Sequence, residues 1–223
     1  MIIEKYNIKL KSLDENNLET VRQARNSKYI RDKMIYREEI TPQQQYEWYK
    51  SLDPATNLYM IIEYNNLPCG LINIKSPSDK QYTSESGVFF WDEQILHGMV
   101  PILSSWLASE AGYLLLGGKQ TLIRVLKSNK NAVVFNKSMG YNIVKEDENV
   151  FFMVQTKESF SKATLKNRLN YIKSNNVNAN LYLSFGNHEL DDFNEKYLRN
   201  MMNINNVLPT KQINREYWFE VDF

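Results

Sequence analysis

The run LYMIIEYNNLPCGLINI, from Leu58 to Ile74, constrains the fold more than any other stretch of the chain. Two apolar segments, Leu58 to Tyr64 and Cys69 to Ile74, flank Asn65-Asn66, a residue pair suited to a turn. The pattern is a β-hairpin, so the core must contain antiparallel sheet. Cys69 follows a proline and begins the second strand, which suits a small buried residue.

Elements of both periods surround this hairpin. YNIKLKSL (Tyr6 to Leu13) alternates as a strand does. Asp14 is placed to cap a helix carrying Leu18 and Val21 on one face, and a second helical stretch is expected from Lys28 to Met34. Thr41-Pro42 is a strong helix start, leading to Tyr46, Trp48, Tyr49 and Leu52. After the hairpin come a strand from Ser84 to Trp91, the loop DEQILHG, and a helix with Pro101 near its start. Leu103, Trp106, Leu107 and Ala111 form its buried stripe. Gly117-Gly118 ends it, QTLIRVL is a strand, and SNKNAVVFNKSMGY (Ser128 to Tyr141) is a helix stopped by glycine. YNIVKED and NVFFMVQT close a hairpin.

Beyond Thr156 the text changes to helix, Asn-rich turn, strand, helix, loop and strand. Leu190, Phe193, Tyr197, Leu198 and Met201 have helical spacing, and EYWFEVDF alternates as a strand suited to extending a sheet. Residues 157–223 therefore read as a folded appendage to a domain spanning 1–156.

Composition excludes several functions. The formal net charge of +1 argues against a strongly basic nucleic-acid surface. One Cys rules out an internal disulfide and a Cys-rich zinc site, and two His make a multi-histidine metal site a poor fit. The start MIIEKYNIKLKSLDEN lacks the cationic and apolar regions of a signal peptide, and no apolar run is long enough to span a bilayer. The expectation is a cytoplasmic protein with no metal, no nucleic-acid partner and no membrane partner.

The element order, together with the pattern N-x-x-A-x-x-(bulky)-x-K-x-x-G-aromatic, resembles the GCN5-related N-acyltransferase (GNAT) superfamily. Asn129, Ala132, Phe135, Lys137, Gly140 and Tyr141 carry the pattern. The resemblance spans about residues 6–156. It implies an α/β (α+β) chain with the GNAT fold: a mixed, mostly antiparallel sheet flanked by helices. The segment ARNSKYIRDKMIYREEIT and the Trp48 helix further resemble the branch that acylates nucleotide-linked amino deoxy sugars. An acyl-coenzyme A co-substrate, acetyl or longer such as 3-hydroxybutyryl, would then be attacked directly by the amine of a sugar. A dTDP-linked 3-amino- or 4-amino-6-deoxyhexose destined for a surface polysaccharide fits this description.

The resemblance assigns the coenzyme to the strand edge at Phe89, Phe90 and Trp91 and to the loop and helix start Leu96, His97, Gly98, Met99 and Val100, where free N–H groups and the helix dipole attract pyrophosphate. Asn129 would cap its helix and touch the coenzyme, and Lys137 would attract its phosphates. Two departures stand out. ILHGMV keeps Gly98 but has Ile95 and Val100 where a basic or amide residue and a small residue are usual. Asn136 stands where many members have a tyrosine that protonates the leaving thiolate; an amide can donate a hydrogen bond but has no proton to give up, so Asn136 is expected as a catalytic contact to the sulfur, with the protonation step unassigned. Glu85 is the candidate base, against an ordinary strand glutamate. Arg25, Tyr36 and Asn73 are candidate acceptor-binding residues. His97 and His188 are simplest as a phosphate contact or surface residue and as a surface residue. The appendage would complete the acceptor site or build a homodimer. The rivals are a protein N-terminal or aminoglycoside acetyltransferase, for which an acidic cleft would mark the latter, and a non-catalytic acyl-coenzyme A-binding module.

Overall fold

The computed structural model describes residues 1–75, 83–187 and 189–221. Their strands form one eleven-stranded sheet. In chain order the strands are β1 (Ile2–Lys5), β2 (Ile8–Ser12), β3 (Asn57–Tyr64), β4 (Leu67–Lys75), β5 (Ser84–Phe90), β6 (Gln120–Leu126), β7 (Asn142–Glu146), β8 (Val150–Thr156), β9 (Leu181–Ser184), β10 (Lys211–Ile213) and β11 (Glu216–Phe219). The helices are α1 (Leu18–Asn26), α2 (Lys28–Arg31), α3 (Pro42–Lys50), α4 (Val100–Leu115), α5 (Lys130–Ser138), α6 (Lys157–Asn175) and α7 (Glu189–Ile204). Across the sheet the order is β10-β11-β9-β1-β2-β3-β4-β5-β6-β8-β7, with every neighbouring pair antiparallel except β5 and β6.

Local chemistry sets these elements. Asn65 and Asn66 both take positive φ, and so make the β3–β4 turn at little steric cost. Thr41 and Gln44 form a reciprocal capping box at α3, with Pro42 in its first turn. Asn129 accepts from the Ala132 amide and starts α5. Gly140 ends that helix region at φ 90°, and a Cβ there would lie 2.5 Å from the Ser159 carbonyl oxygen at the start of α6. Only glycine fits this crossing.

The two faces of the sheet carry separate cores. On one, α4 buries Leu103, Trp106, Leu107 and Ala111 against Ile3, Leu10, Ile72 and Phe90, and Phe160 and Leu198 of the C-terminal segment join them. On the other, Leu18 and Val21 pack on Ile61 and Leu71, rimmed by Trp48, Tyr59, Phe89 and Trp91. Residues 157–223 continue the sheet through β9, which pairs with β1, and β11, which pairs with β9. A buried ionic cluster fastens the junction. Glu110 of α4 accepts from Lys5 Nζ at 2.9 Å, Tyr6 Oη at 2.5 Å and Arg168 Nη1 of α6 at 2.5 Å.

Three elements differ from the sequence reading. The first strand is a hairpin, because Tyr6 and Asn7 both take positive φ and turn the chain between β1 and β2. The helix expected from Lys28 to Met34 ends at Arg31, where the amides of Lys33 and Met34 switch to carbonyls three residues back. A further short strand, β10, precedes β11.

Candidate active site

The parallel pair β5–β6 holds the site. Its register covers Ser84 with Thr121 and Glu85 with Leu122, yet the strands run on to Phe90 and Leu126. Past the second pair they part, and the gap between them opens into a cleft of about 1460 Å³. The cleft is lined from both faces of the sheet: by Arg25, Tyr36 and Trp48 on the α1–α3 side, and by Pro101, Ser105, Phe135 and Asn136 on the α4–α5 side.

The β4–β5 register decides which backbone groups face the gap. Trp91 donates its amide to the Cys69 carbonyl at 3.1 Å, and the register pairs Gly70 with Phe90, Leu71 with Phe89 and Ile72 with Val88. Antiparallel hydrogen bonding alternates. Phe89 and Trp91 therefore turn their amides toward β4, while Val88 and Phe90 turn theirs into the gap. Of the three residues expected at the coenzyme edge, Phe90 offers its backbone there, and Phe89 and Trp91 offer side chains to the α1–α3 face. Val88 is the residue the sequence reading missed. Strand parity is invisible without the register.

On the α4 side, Asp92 caps a short 3-10 turn, Glu93–His97, by accepting from the Gln94 amide. Leu96 and His97 line the cleft. Gly98 and Met99 are exposed beside them, and Met99 precedes α4 without a side-chain cap. Val100 is buried as the first helical residue, and Pro101 follows with no N–H to donate. Gly98 has an extended backbone that any residue adopts, and a Cβ there would meet the Ile95 carbonyl oxygen at an ordinary 3.5 Å. The chain itself does not require glycine at that place. Asn129 lines the cleft as well as capping α5, whereas Lys137 is exposed on α5 outside the lining. Asn136 lines the cleft but commits its amide to the Ala132 carbonyl at 2.8 Å. Tyr141 is 9% exposed and lines the cleft, with no hydrogen bond from its hydroxyl among the described residues. Burial pushes its phenol well above the usual range, so it stays protonated.

On the α1–α3 side, Glu85 is 6% exposed and accepts from Arg124 Nη2 at 2.6 Å and Nε at 3.0 Å, with Lys75 Nζ at 3.4 Å. It is an ion-paired carboxylate at the vertex of the gap. Asn73 and Tyr59 line the cleft beside it, and the Tyr59 phenol is raised by burial and by Glu85. Arg25 donates to the Tyr36 carbonyl at 3.1 Å, while its Nη1 is buried with no partner among the described residues; burial lowers its guanidinium pKa. From the C-terminal segment, Asn194 and Tyr197 of α7 reach the same cleft. His188 lies outside the described residues. Among the described residues no group of three or more His, Cys, Asp or Glu could hold a metal, and no helix is long and apolar enough to cross a membrane.

Solved structures share this architecture over 69–75% of the chain. A nucleotide-linked sugar GNAT, FdhC in its apo form, superimposes with a TM-score of 0.63 at 19% identity, over 75% of this chain and 97% of that one. The chain has the GNAT fold. Two other GNAT-fold enzymes align as closely. Spermidine N-acetyltransferase from Vibrio cholerae, bound to CoA and spermine, gives a TM-score of 0.61 at 16% identity over 69% of this chain and 98% of its own. An aminoglycoside acetyltransferase in complex with coenzyme A gives 0.60 at 16% identity over 70% and 98%. No family model matches the sequence, and no curated protein matches it. At these identities the GNAT likeness is one of fold.

Proposed function

We propose that this protein is an acyl-coenzyme A-dependent N-acyltransferase whose acceptor is an anionic amine, a nucleotide-linked amino sugar. One observation carries the acceptor class. Among the described residues the cleft lining holds four cations, Arg25, Lys33, Lys75 and Arg124, against two carboxylates, Glu85 and Glu93, and Lys75 and Arg124 are the two paired with Glu85. Polyamines and aminoglycosides are polycations and call for the opposite field. A diphosphate bridge suits unsatisfied guanidinium donors such as Arg25, and Tyr36, Tyr29 and Trp48 offer faces for a nucleobase.

The donor fits the other side. Val88 and Phe90 have backbone groups free to pair with a pantetheine arm, and the uncapped start of α4 supplies N–H groups and positive potential for the pyrophosphate. The thioester supplies an electrophilic carbonyl: the amine nitrogen bonds to it, the carbon–sulfur bond breaks, and the products are an amide and the coenzyme thiol, the proton lost by nitrogen being matched by the one that sulfur gains. The Val88 amide is aimed at the charge that develops on the carbonyl oxygen. Glu85, across the vertex, takes up the proton from nitrogen directly or through water. Asn136 has committed its amide, so the Tyr141 hydroxyl, held protonated by burial, is a hydrogen-bond donor available to the departing sulfur, and the thiolate takes its proton from solvent. α7 of the C-terminal segment completes the cleft wall.

The test is coenzyme A thiol release from acetyl-coenzyme A with dTDP-linked 3-amino-3,6-dideoxyhexose and 4-amino-4,6-dideoxyhexose, against the same sugars without the nucleotide. A preference in kcat/KM of ~100-fold or more for a conjugate is expected from two or three charge-assisted bonds. Arg25→Ala should erase most of it. Equal use of the free sugar, or preferred use of spermidine, would overturn the acceptor class.

A further inference from the structure

The vertex of the gap contains a glycine whose missing side chain would meet one side-chain oxygen and no backbone among the described residues. Gly87 lies in β5, two residues past the final β5–β6 pair. Its backbone is not left-handed, since Gly117 and Gly140 are the glycines with positive φ. A Cβ built on it would approach Asn73 Oδ1 at 3.1 Å and no other atom of the described residues beyond its chain neighbours within 4 Å. Gly70, in the neighbouring strand, is a useful contrast. A Cβ there would collide at 2.8 Å with both the Phe89 carbonyl oxygen and Phe90 Cδ1, so packing demands that glycine. Glycine inside a strand weakens it, and where packing does not demand it the usual reason is close approach of another molecule.

The direction of the missing side chain follows from the register. Gly87 pairs with Asn73, so both share the face that carries Glu85 and Phe89. Continuing the parallel register from Glu85–Leu122 would set Gly87 beside Arg124, but the strands have already parted. The absent side chain thus leaves a window framed by Asn73, Glu85, Phe89 and Arg124. It opens from the cation-lined side toward the gap, where the next residue, Val88, points its amide.

We propose that Gly87 is a specificity-determining residue: its missing side chain is the port through which the acceptor amine reaches the donor carbonyl. The inference rests on the acyltransferase reading above and deepens it. An amine on a ring carbon carries substituents on both sides and needs this width. Asn73 Oδ1 and the Glu85 carboxylate flank the port as acceptors for the amine's N–H groups.

Gly87→Ala and Gly87→Val separate the port from the donor site. The measurements are acetyl-coenzyme A affinity by calorimetry, kcat/KM for the dTDP-linked aminodideoxyhexose that the wild type uses, and Tm. The expected result is a donor Kd within about twofold of wild type, an unchanged or raised Tm for the alanine variant, and a loss in kcat/KM of at least tenfold for alanine and a larger one for valine. Wild-type kcat/KM in both variants would overturn the port, as would a donor Kd that weakens in parallel with kcat/KM. If Gly87→Ala lowers Tm, the 3.1 Å approach to Asn73 is the cause; Asn73→Ala/Gly87→Ala, compared with Asn73→Ala alone, then reads the port without that contact. A wild type that fails to bind acetyl-coenzyme A overturns the acyltransferase reading itself, which the variants do not.

Discussion

Glu110→Gln removes the carboxylate that Lys5, Tyr6 and Arg168 share in a cluster joining β1, α4 and α6. Its side chain is fully buried, and the side chains of Lys5 and Arg168 are 2% and 4% exposed. In the native cluster burial pushes the Lys5 ammonium down while Glu110 pushes it back up. With glutamine the lowering acts alone, and Lys5 can shed its proton. Arg168 cannot, so a buried guanidinium loses the Glu110 carboxylate while keeping its charge. Breaking a buried pair from one side costs ~3–5 kcal/mol. With a slope of ~2–3 kcal/mol per molar urea for a chain of this size, the unfolding midpoint should fall by ~1–2 M. Urea titration followed by far-ultraviolet circular dichroism measures it. A shift below ~0.3 M, under ~1 kcal/mol on the same slope, would show that the cluster does not hold the C-terminal segment in place.

Gly140→Ala forces a Cβ to within 2.5 Å of the Ser159 carbonyl oxygen at φ 90°, and a loss of ~2–4 kcal/mol is expected in chemical denaturation. A loss under ~0.5 kcal/mol would mean that α6 moves aside freely. Tyr141→Phe should lower kcat about tenfold with acetyl-coenzyme A affinity unchanged, because one hydrogen bond to the developing thiolate is lost and no ground-state contact is; an unaltered kcat would remove Tyr141 from the chemistry. Burial pushes the Cys69 thiol up to about 11 from 9.0. Its folded value is the higher one, so its stability contribution is complete below pH 9 and disappears as pH rises through 11. The stability difference between wild type and Cys69→Ala should therefore narrow from pH 8 to 11, and a constant difference would contradict the shift.

Much of the fold was legible because its signals are local. Thr41-Pro42, Asn65-Asn66, Asn129 and Gly140 each set a cap or turn through their own side chain or lack of one. The β1–β2 turn was hidden because tyrosine seldom takes positive φ, and nothing near Tyr6 announces it. The site was only partly legible, for a different reason. Glu85, Arg25 and Asn73 do line one cleft, but the partners of Glu85 come from β4 and β6, and no sequence spacing links Lys75, Glu85 and Arg124. The same holds for Lys5, Glu110 and Arg168, drawn from three distant segments. Strand parity moved the gap-facing backbone from Phe89 to Val88, a difference of one residue that sequence pattern cannot set.

The account rests on the coenzyme arm lying in the gap between β5 and β6. Amide hydrogen exchange with and without acetyl-coenzyme A tests this residue by residue. Phe89 and Trp91 should exchange slowly in both states, since their amides already pair with β4. Val88 and Phe90 should exchange quickly alone and slow at least tenfold on adding the coenzyme. Coenzyme binding that leaves Val88 and Phe90 unprotected would place the donor elsewhere and contradict the site.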